Sequence, residues 1–232
     1  MNARTAFAAA VTCVLLAAAA AAADLLREPW AGFAPGSFVH QKTTAKTSVA
    51  SRGDTVTESR TTLLAADGAK VTLKSEFRVA DGAWQGHEMT IDPAVKGKVE
   101  APRPEALGDE KLTVDGREVV CRKQRTVAEG ITTVSWTHAD LGLVRSESRS
   151  EGGGRSDTIL EKLAEKVRAG TGDVECRRMR TITTSEVGTS ETTMWLSPAV
   201  PGGVARSETL TIQGPVRLTM FTETLEYLAK RR

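Results

Sequence analysis

The chain has 232 residues, a formal net charge of +2 and only 4% aromatic against 26% charged residues. So even a balance supplies no field to steer it to nucleic acid or an anionic membrane, and no segment after Asp24 is apolar enough to span a bilayer. Beyond the first 23 positions Thr, Ser, Arg, Lys, Glu and Val dominate, and Thr and Val favour strands.

The chain opens on a secretory signal. Arg4 is its positive end, Ala6 to Ala20 its apolar run, and Ala21-Ala22-Ala23 before Asp24 a small-residue cleavage site. Cys13 leaves with it. Cleavage after Ala23 gives a periplasmic or secreted chain of 209 residues, 24–232, read as a single repetitive antiparallel β domain. Asp24 to Gly36 reads as an irregular lead-in.

Strands and turns then alternate. Ser37 to Val49 and Thr55 to Ala65 flank Ser51-Arg52-Gly53-Asp54, whose Arg-Gly-Asp is a chance adhesion tripeptide at a hairpin tip. Ala69 to Val79 follows Asp67-Gly68, with Val71, Leu73, Ser75, Phe77 and Val79 on one face. Asp81-Gly82 turns into Trp84 to Ile91. Asp92 to Gly108 holds Pro93, Pro102 and Pro104 and reads as a surface connection. Pairing resumes over Glu110 to Val114, Glu118 to Val127, Ile131 to Trp136 and Gly142 to Ser150. After Gly152-Gly153-Gly154 come Glu165 to Ala169, Asp173 to Thr183, Ser190 to Ser197, Val204 to Ile212 and Val216 to Tyr227. Ser156 to Gly170 has helical spacing with caps at both ends; its tail aligns with a strand, so it reads as strand with a bend near Ala164.

An offset of 55 relates Glu110-Lys111 to Glu165-Lys166, Val119 to Val174, Cys121 to Cys176, and Arg122, Arg125 and Thr126 to Arg177, Arg180 and Thr181. Trp136-to-Glu147 and Trp195-to-Glu208 then follow, each ending on Arg-Ser-Glu, with a fainter echo at Lys74-Ser75-Glu76. Repetition of this kind stacks supersecondary units along a continuous face. The expected units are 37–92 (degenerate), 110–163 and 165–227, forming an all-β, strongly curved antiparallel sheet, a half-barrel of about a dozen strands built from β-meanders.

Trp136 and Trp195 close equivalent strands, either as ring surfaces lining a cavity or as core tryptophans. Lys123, Arg125, Arg178 and Arg180 share a face with the cysteines. That face is either a groove open to water, or its cations pair with Glu147, Glu208 or Glu223. Cys121 and Cys176 stand about four strands apart, roughly 19 Å in an open sheet, while a disulfide needs Cα atoms within about 7 Å. They read as separate thiols unless the sheet curls shut. His40, His87 and His138 fall in different units with no ligand spacing, so no metal and no cofactor is expected. The chain holds no nucleophile elbow and no phosphate-cradling loop, so nothing demands an enzyme.

Trp136 to Glu147 resembles the strand–turn–strand motif of periplasmic lipoprotein carriers and sigma-factor regulators of the LolA/RseB type. Ser197 to Gly203 is similar to the Trp-x-Ser-Pro-x-Val-Pro-Gly-Gly turn of a group of exported bacterial proteins. The resemblance implies an open half-barrel whose concave face holds acyl chains or a partner peptide. On this reading the chain is an exported, non-enzymatic binder of an apolar or amphipathic, lipid-like ligand, lined by Val119, Trp136, Val174 and Trp195, with Arg125 and Arg180 meeting an anionic end. The alternative is an envelope scaffold that contacts a protein partner and holds no small molecule.

Overall fold

The computed structural model describes residues 29–30, 32–49, 53–67, 70–92 and 103–231. The expected signal peptide and cleavage site, Arg52, Gly68 and residues 93–102 of the expected surface connection lie outside the described residues. Thirteen strands follow in chain order: β1 (Phe38–Thr47), β2 (Thr55–Asp67), β3 (Lys70–Val79), β4 (Gln85–Ile91), β5 (Glu105–Val114), β6 (Arg117–Ala128), β7 (Ile131–His138), β8 (Gly142–Ser150), β9 (Arg155–Ala169), β10 (Gly172–Ser185), β11 (Gly188–Leu196), β12 (Val204–Gln213) and β13 (Val216–Leu228).

They form one antiparallel sheet in the order β4-β3-β2-β1-β13-β12-β11-β10-β9-β8-β7-β6-β5. Strands β1 to β4 step outward to one edge. The chain then crosses to the far edge, where β5 begins, and nine strands step back until β13 pairs with β1. The sheet is curved but not closed, with β4 and β5 as its free edges among the described residues.

Two sequence readings change. Pairing begins at Glu105 rather than Glu110, because a bulge between Ala106 and Gly108 lets the strand run past Gly108, whose φ is +93°. Residues 155–169 are one strand with no helix. β10 pairs with it from Arg155 to Ala169 and β8 from Arg155 to Ile159, and its register slips against β10 between Cys176 and Met179, so the expected bend near Ala164 is a pair of irregularities.

The apolar core gathers at one end of the strands, where long hairpins fold over their neighbours. At the tip of β9–β10 the Gly170 N–H donates to the Thr224 carbonyl of β13 at 2.8 Å, passing over β11 and β12. Val167, Val174, Cys176, Trp195, Val200 and Ala205 pack together there. The β5–β6 tip does the same one unit earlier: Asp115 accepts from Lys162 Nζ at 2.7 Å and from the Leu163 N–H at 3.4 Å. Its cluster holds Val114, Cys121, Trp136, Val144 and Leu160. The turn that makes this tip is Asp115-Gly116, both in the left-handed region (φ +50° and +76°), as a two-residue hairpin requires. The lead-in is not loose. Trp30 and Phe33 are 4% and 2% exposed and pack against Val39, Leu63 and Leu73, each such burial contributing roughly 1.5–3 kcal/mol.

Candidate functional site

Away from that end the sheet is a single layer, and strand periodicity sorts its two faces by chemistry. On one face, two rows across β7 to β12 hold Ser or Thr at every position. The hydroxyls bond across strands, as in Thr133–Ser148 (2.9 Å), Thr158–Thr181 (2.9 Å) and Thr192–Thr209 (3.0 Å). These rows carry no charge.

The other face carries the cations and carboxylates, and it builds one arrangement twice. Glu110 lies opposite Cys121, and Glu165 opposite Cys176. The Trp136 indole N–H donates to Glu110 at 3.0 Å and the Trp195 indole N–H to Glu165 at 3.2 Å. Lys123 donates to Glu110 at 2.9 Å and lies 4.9 Å from the Trp136 ring centroid; Arg178 lies 3.4 Å from Glu165. Arg145 and Arg206 lie 5.0 and 4.7 Å from the respective Trp ring centroids, and each bonds the glutamate two residues on, Glu147 or Glu208. The indole and lysine hydrogen bonds hold the Glu110 carboxyl below the usual carboxylate range.

All six residues expected to line a site stand on this charged face. Val119 packs beside Trp136 in one cluster and Val174 beside Trp195 in the other. Both rings are buried, at 4% and 8% exposure. Arg125 is exposed, 3.8 Å from Glu105. Arg180 lies 2.6 Å from Glu161 and 3.6 Å from Glu191. The cations of the Cys-bearing strands do pair across strands, with Glu105, Glu110, Glu161, Glu165 and Glu191; Glu147 and Glu208 instead pair with Arg145 and Arg206 of their own strands.

Two shallow clefts open on the charged face. One, of about 300 Å³, is lined by Arg145, Arg155, Asp157, Ile159, Arg180 and Ile182. The next, of about 450 Å³ over β11 to β13, is lined by Glu191, Thr193, Glu208, Leu210, Thr219 and Phe221. Ile159, Ile182, Leu210 and Phe221 thus supply apolar floor between charged rims. Of the six expected residues only Arg180 lines a cleft. The four apolar ones were missed, although Thr181-Ile182-Thr183 and Thr209-Leu210-Thr211 each set one apolar residue between two hydroxyls, the period-two pattern that puts it on the opposite face.

Cys121 and Cys176 are free and buried, 0% and 1% exposed. Burial, then the Glu165 and Glu175 charges, push the Cys176 thiol up to about 11. The folded chain therefore keeps that proton at pH values where an unfolded one, with a thiol near 8.5, loses it. Stability is expected to fall as pH rises from about 8.5 to 11, by on the order of 2–3 kcal/mol. Urea titrations across that range, with Cys176→Ala as the comparison, check this; an equally steep alkaline loss in the variant rejects it.

Among the described residues no group of three or more His, Cys, Asp or Glu could hold a metal ion, and no helix is long and apolar enough to cross a membrane. No protein-family model and no curated protein matches the sequence. Among solved structures the chain is similar to a candidate lipoprotein from Parabacteroides distasonis, at 11% identity and a TM-score of 0.40, with 85% of this chain and 99% of that one covered. It is similar to a candidate outer-membrane lipoprotein-sorting domain from Vibrio parahaemolyticus, at 12% identity and a TM-score of 0.36 over 89% and 91% of the two chains. A LolA superfamily protein from Nitrosomonas europaea gives 7% identity and a TM-score of 0.33 over 90% and 93%.

Proposed function

We propose that the mature chain is an exported, non-catalytic envelope protein that binds an amphipathic ligand along the charged face of its open sheet. The observation that carries this reading is the pair of adjoining clefts with apolar floors and charged rims. Their volumes reach the usual scale of ligand sites. An acyl or other apolar portion would lie over Ile159, Ile182, Leu210 and Phe221. An anionic end would meet Arg145, Arg155 and Arg180, displacing a carboxylate from one of them. The tryptophans act from the same face nearer the hairpin tips, holding the strands that present the arginines.

The rival reading, an envelope interaction protein with no small ligand, draws on the same charges. The three arginines are already matched by Glu147, Asp157 and Glu161, and a laced polar surface suits a wet protein contact. Titration of the full chain with a fluorescent fatty acid separates the two. Binding is expected to weaken about tenfold in Arg180→Glu and again in Ile182→Asp, with the far-ultraviolet spectrum unchanged. Absence of binding to the wild type, with a clean apo mass after gentle purification, rejects the ligand.

A further inference from the structure

The two free edges of the sheet are not alike. Edge β5 is guarded in the usual ways: Pro104 precedes it, the bulge at Ala106–Gly108 breaks its line, and Glu105, Asp109 and Lys111 charge it. Edge β4 has neither proline nor bulge, and its only charged side chain among Lys, Arg, Asp and Glu is Glu88. Among the described residues β4 pairs only with β3, which leaves its outer row of backbone N–H and C=O groups open. Phe77, Val79 and Met89 are exposed beside it, at 38–52%.

Register shows what such an edge lacks. Ser75 lies opposite His87 of β4, as Ser146 lies opposite Thr158 of β9 and Ser207 opposite Thr222 of β13. Strand β4 therefore stands beside Lys74-Ser75-Glu76 where β9 and β13 stand beside the two Arg-Ser-Glu segments. Both β9 and β13 go on to pair with a further strand, β10 or β1, and β4 does not. Glu88 occupies the place of Ile159 and Glu223, and the strands added there bring Arg180 and Lys42 to it. Met89 occupies the place of Leu160, to which β10 brings Met179, and of Thr224, to which β1 brings Gln41; the methionine makes the β4 position apolar like the first.

We infer that the outer side of β4 docks an extended segment of another protein by strand addition, with a basic residue opposite Glu88 and an apolar one opposite Met89. Backbone hydrogen bonds supply the affinity and alternate side chains the selectivity. Among the described residues Glu88 has no ion pair, so an added cation meets an unengaged carboxylate. A second copy of this chain fits worse. Two-fold pairing of β4 with itself over its full length centres on Glu88 and sets that carboxylate against the second copy's own. Joining β4 to another copy's β5 with the faces kept continuous runs the strands parallel, because thirteen alternating strands leave both edges pointing the same way, and an antiparallel join turns one copy's charged face to the opposite side.

The test is amide hydrogen exchange on the full chain with a panel of synthetic peptides of about nine residues that alternate valine or methionine with arginine. Alternate amides of Gln85–Ile91, fast without peptide, are expected to slow about tenfold on binding. Glu88→Lys should weaken the effect about tenfold, while Leu107→Lys on the opposite edge leaves it unchanged and circular dichroism shows both variants folded. The inference is overturned if no peptide protects β4, if Glu88→Lys binds as well as wild type, or if β4 protection rises with protein concentration alone, which would mark a second copy. This edge shares no residue with the clefts, so its failure and that of the amphipathic ligand are read separately.

Discussion

Replacing Trp195 with Ala is expected to cost about 3–5 kcal/mol, the range for deleting a large buried aromatic. That is a large part of the roughly 5–15 kcal/mol that holds a domain folded. The ring is 8% exposed and packs where the β9–β10 tip folds over β11 and β12, among Cys176, Val200 and Ala205. Without it the tip loses the surface it closes on, and Glu165 loses the indole N–H at 3.2 Å. Trp195→Phe separates the two contributions, since it restores most of the packing but not the hydrogen bond. A net loss of about 1–2 kcal/mol is expected for it, since an ordinary hydrogen bond contributes about 1 kcal/mol. Chemical denaturation of the three proteins measures both. An alanine variant within about 1 kcal/mol of wild type would mean that this end is not the core.

The same region shows how far the sequence could be read. Strand content, meander order and the duplicated Trp and Arg-Ser-Glu strands were legible because each is local: alternation, a turn residue, a repeated string. The position of the third echo was less so. Lys74-Ser75-Glu76 stands in the sheet as its counterparts do, but the strand that completes its unit is β13, from the other end of the chain. No sequence offset reveals a unit closed by two ends of a polypeptide. The role of the lead-in was also hidden, because Pro29, Pro35 and Gly36 break regular structure without saying where Trp30 and Phe33 will bury.

The candidate site was only half legible, for a physical reason. Trp136, Trp195 and their arginines stand out by residue type, and large aromatics with cations invite a ligand reading. In a single-layer sheet those residues stabilise one another: a cation over an indole, a carboxylate under its N–H. The surface left for a ligand lies one or two registers away, where single large apolar residues such as Ile182 and Leu210 sit between hydroxyls. Val119 and Val174 illustrate the difference. Both lie near the tip ends and pack into the two clusters, whereas Ile182 and Leu210, further along neighbouring strands, reach the clefts.

The turn from Trp195 to Glu208 sets the second large effect. Gly202 has φ +81°, and a Cβ there would lie 3.3 Å from Cζ2 of Trp30, a side chain only 4% exposed. Gly202→Val therefore meets two penalties at once: about 1–2 kcal/mol for a branched residue in the left-handed region, and about 1–3 kcal/mol for forcing a packed ring aside. Gly214 isolates the first. It has φ +55°, and a Cβ there would meet nothing within 4 Å, so Gly214→Val should show the backbone cost alone. The expected order is wild type, Gly214→Val, Gly202→Val, with a gap of at least about 1 kcal/mol between the variants. Because Trp30 also packs with Val39 and Leu63, the Gly202 variant should in addition raise exchange at the Gly36 and Leu63 amides, which tie the lead-in to β2 at 2.7 and 2.8 Å. Equal losses in the two variants, with those amides still protected, would mean that the lead-in does not lean on the turn and that the glycine pair serves backbone geometry alone.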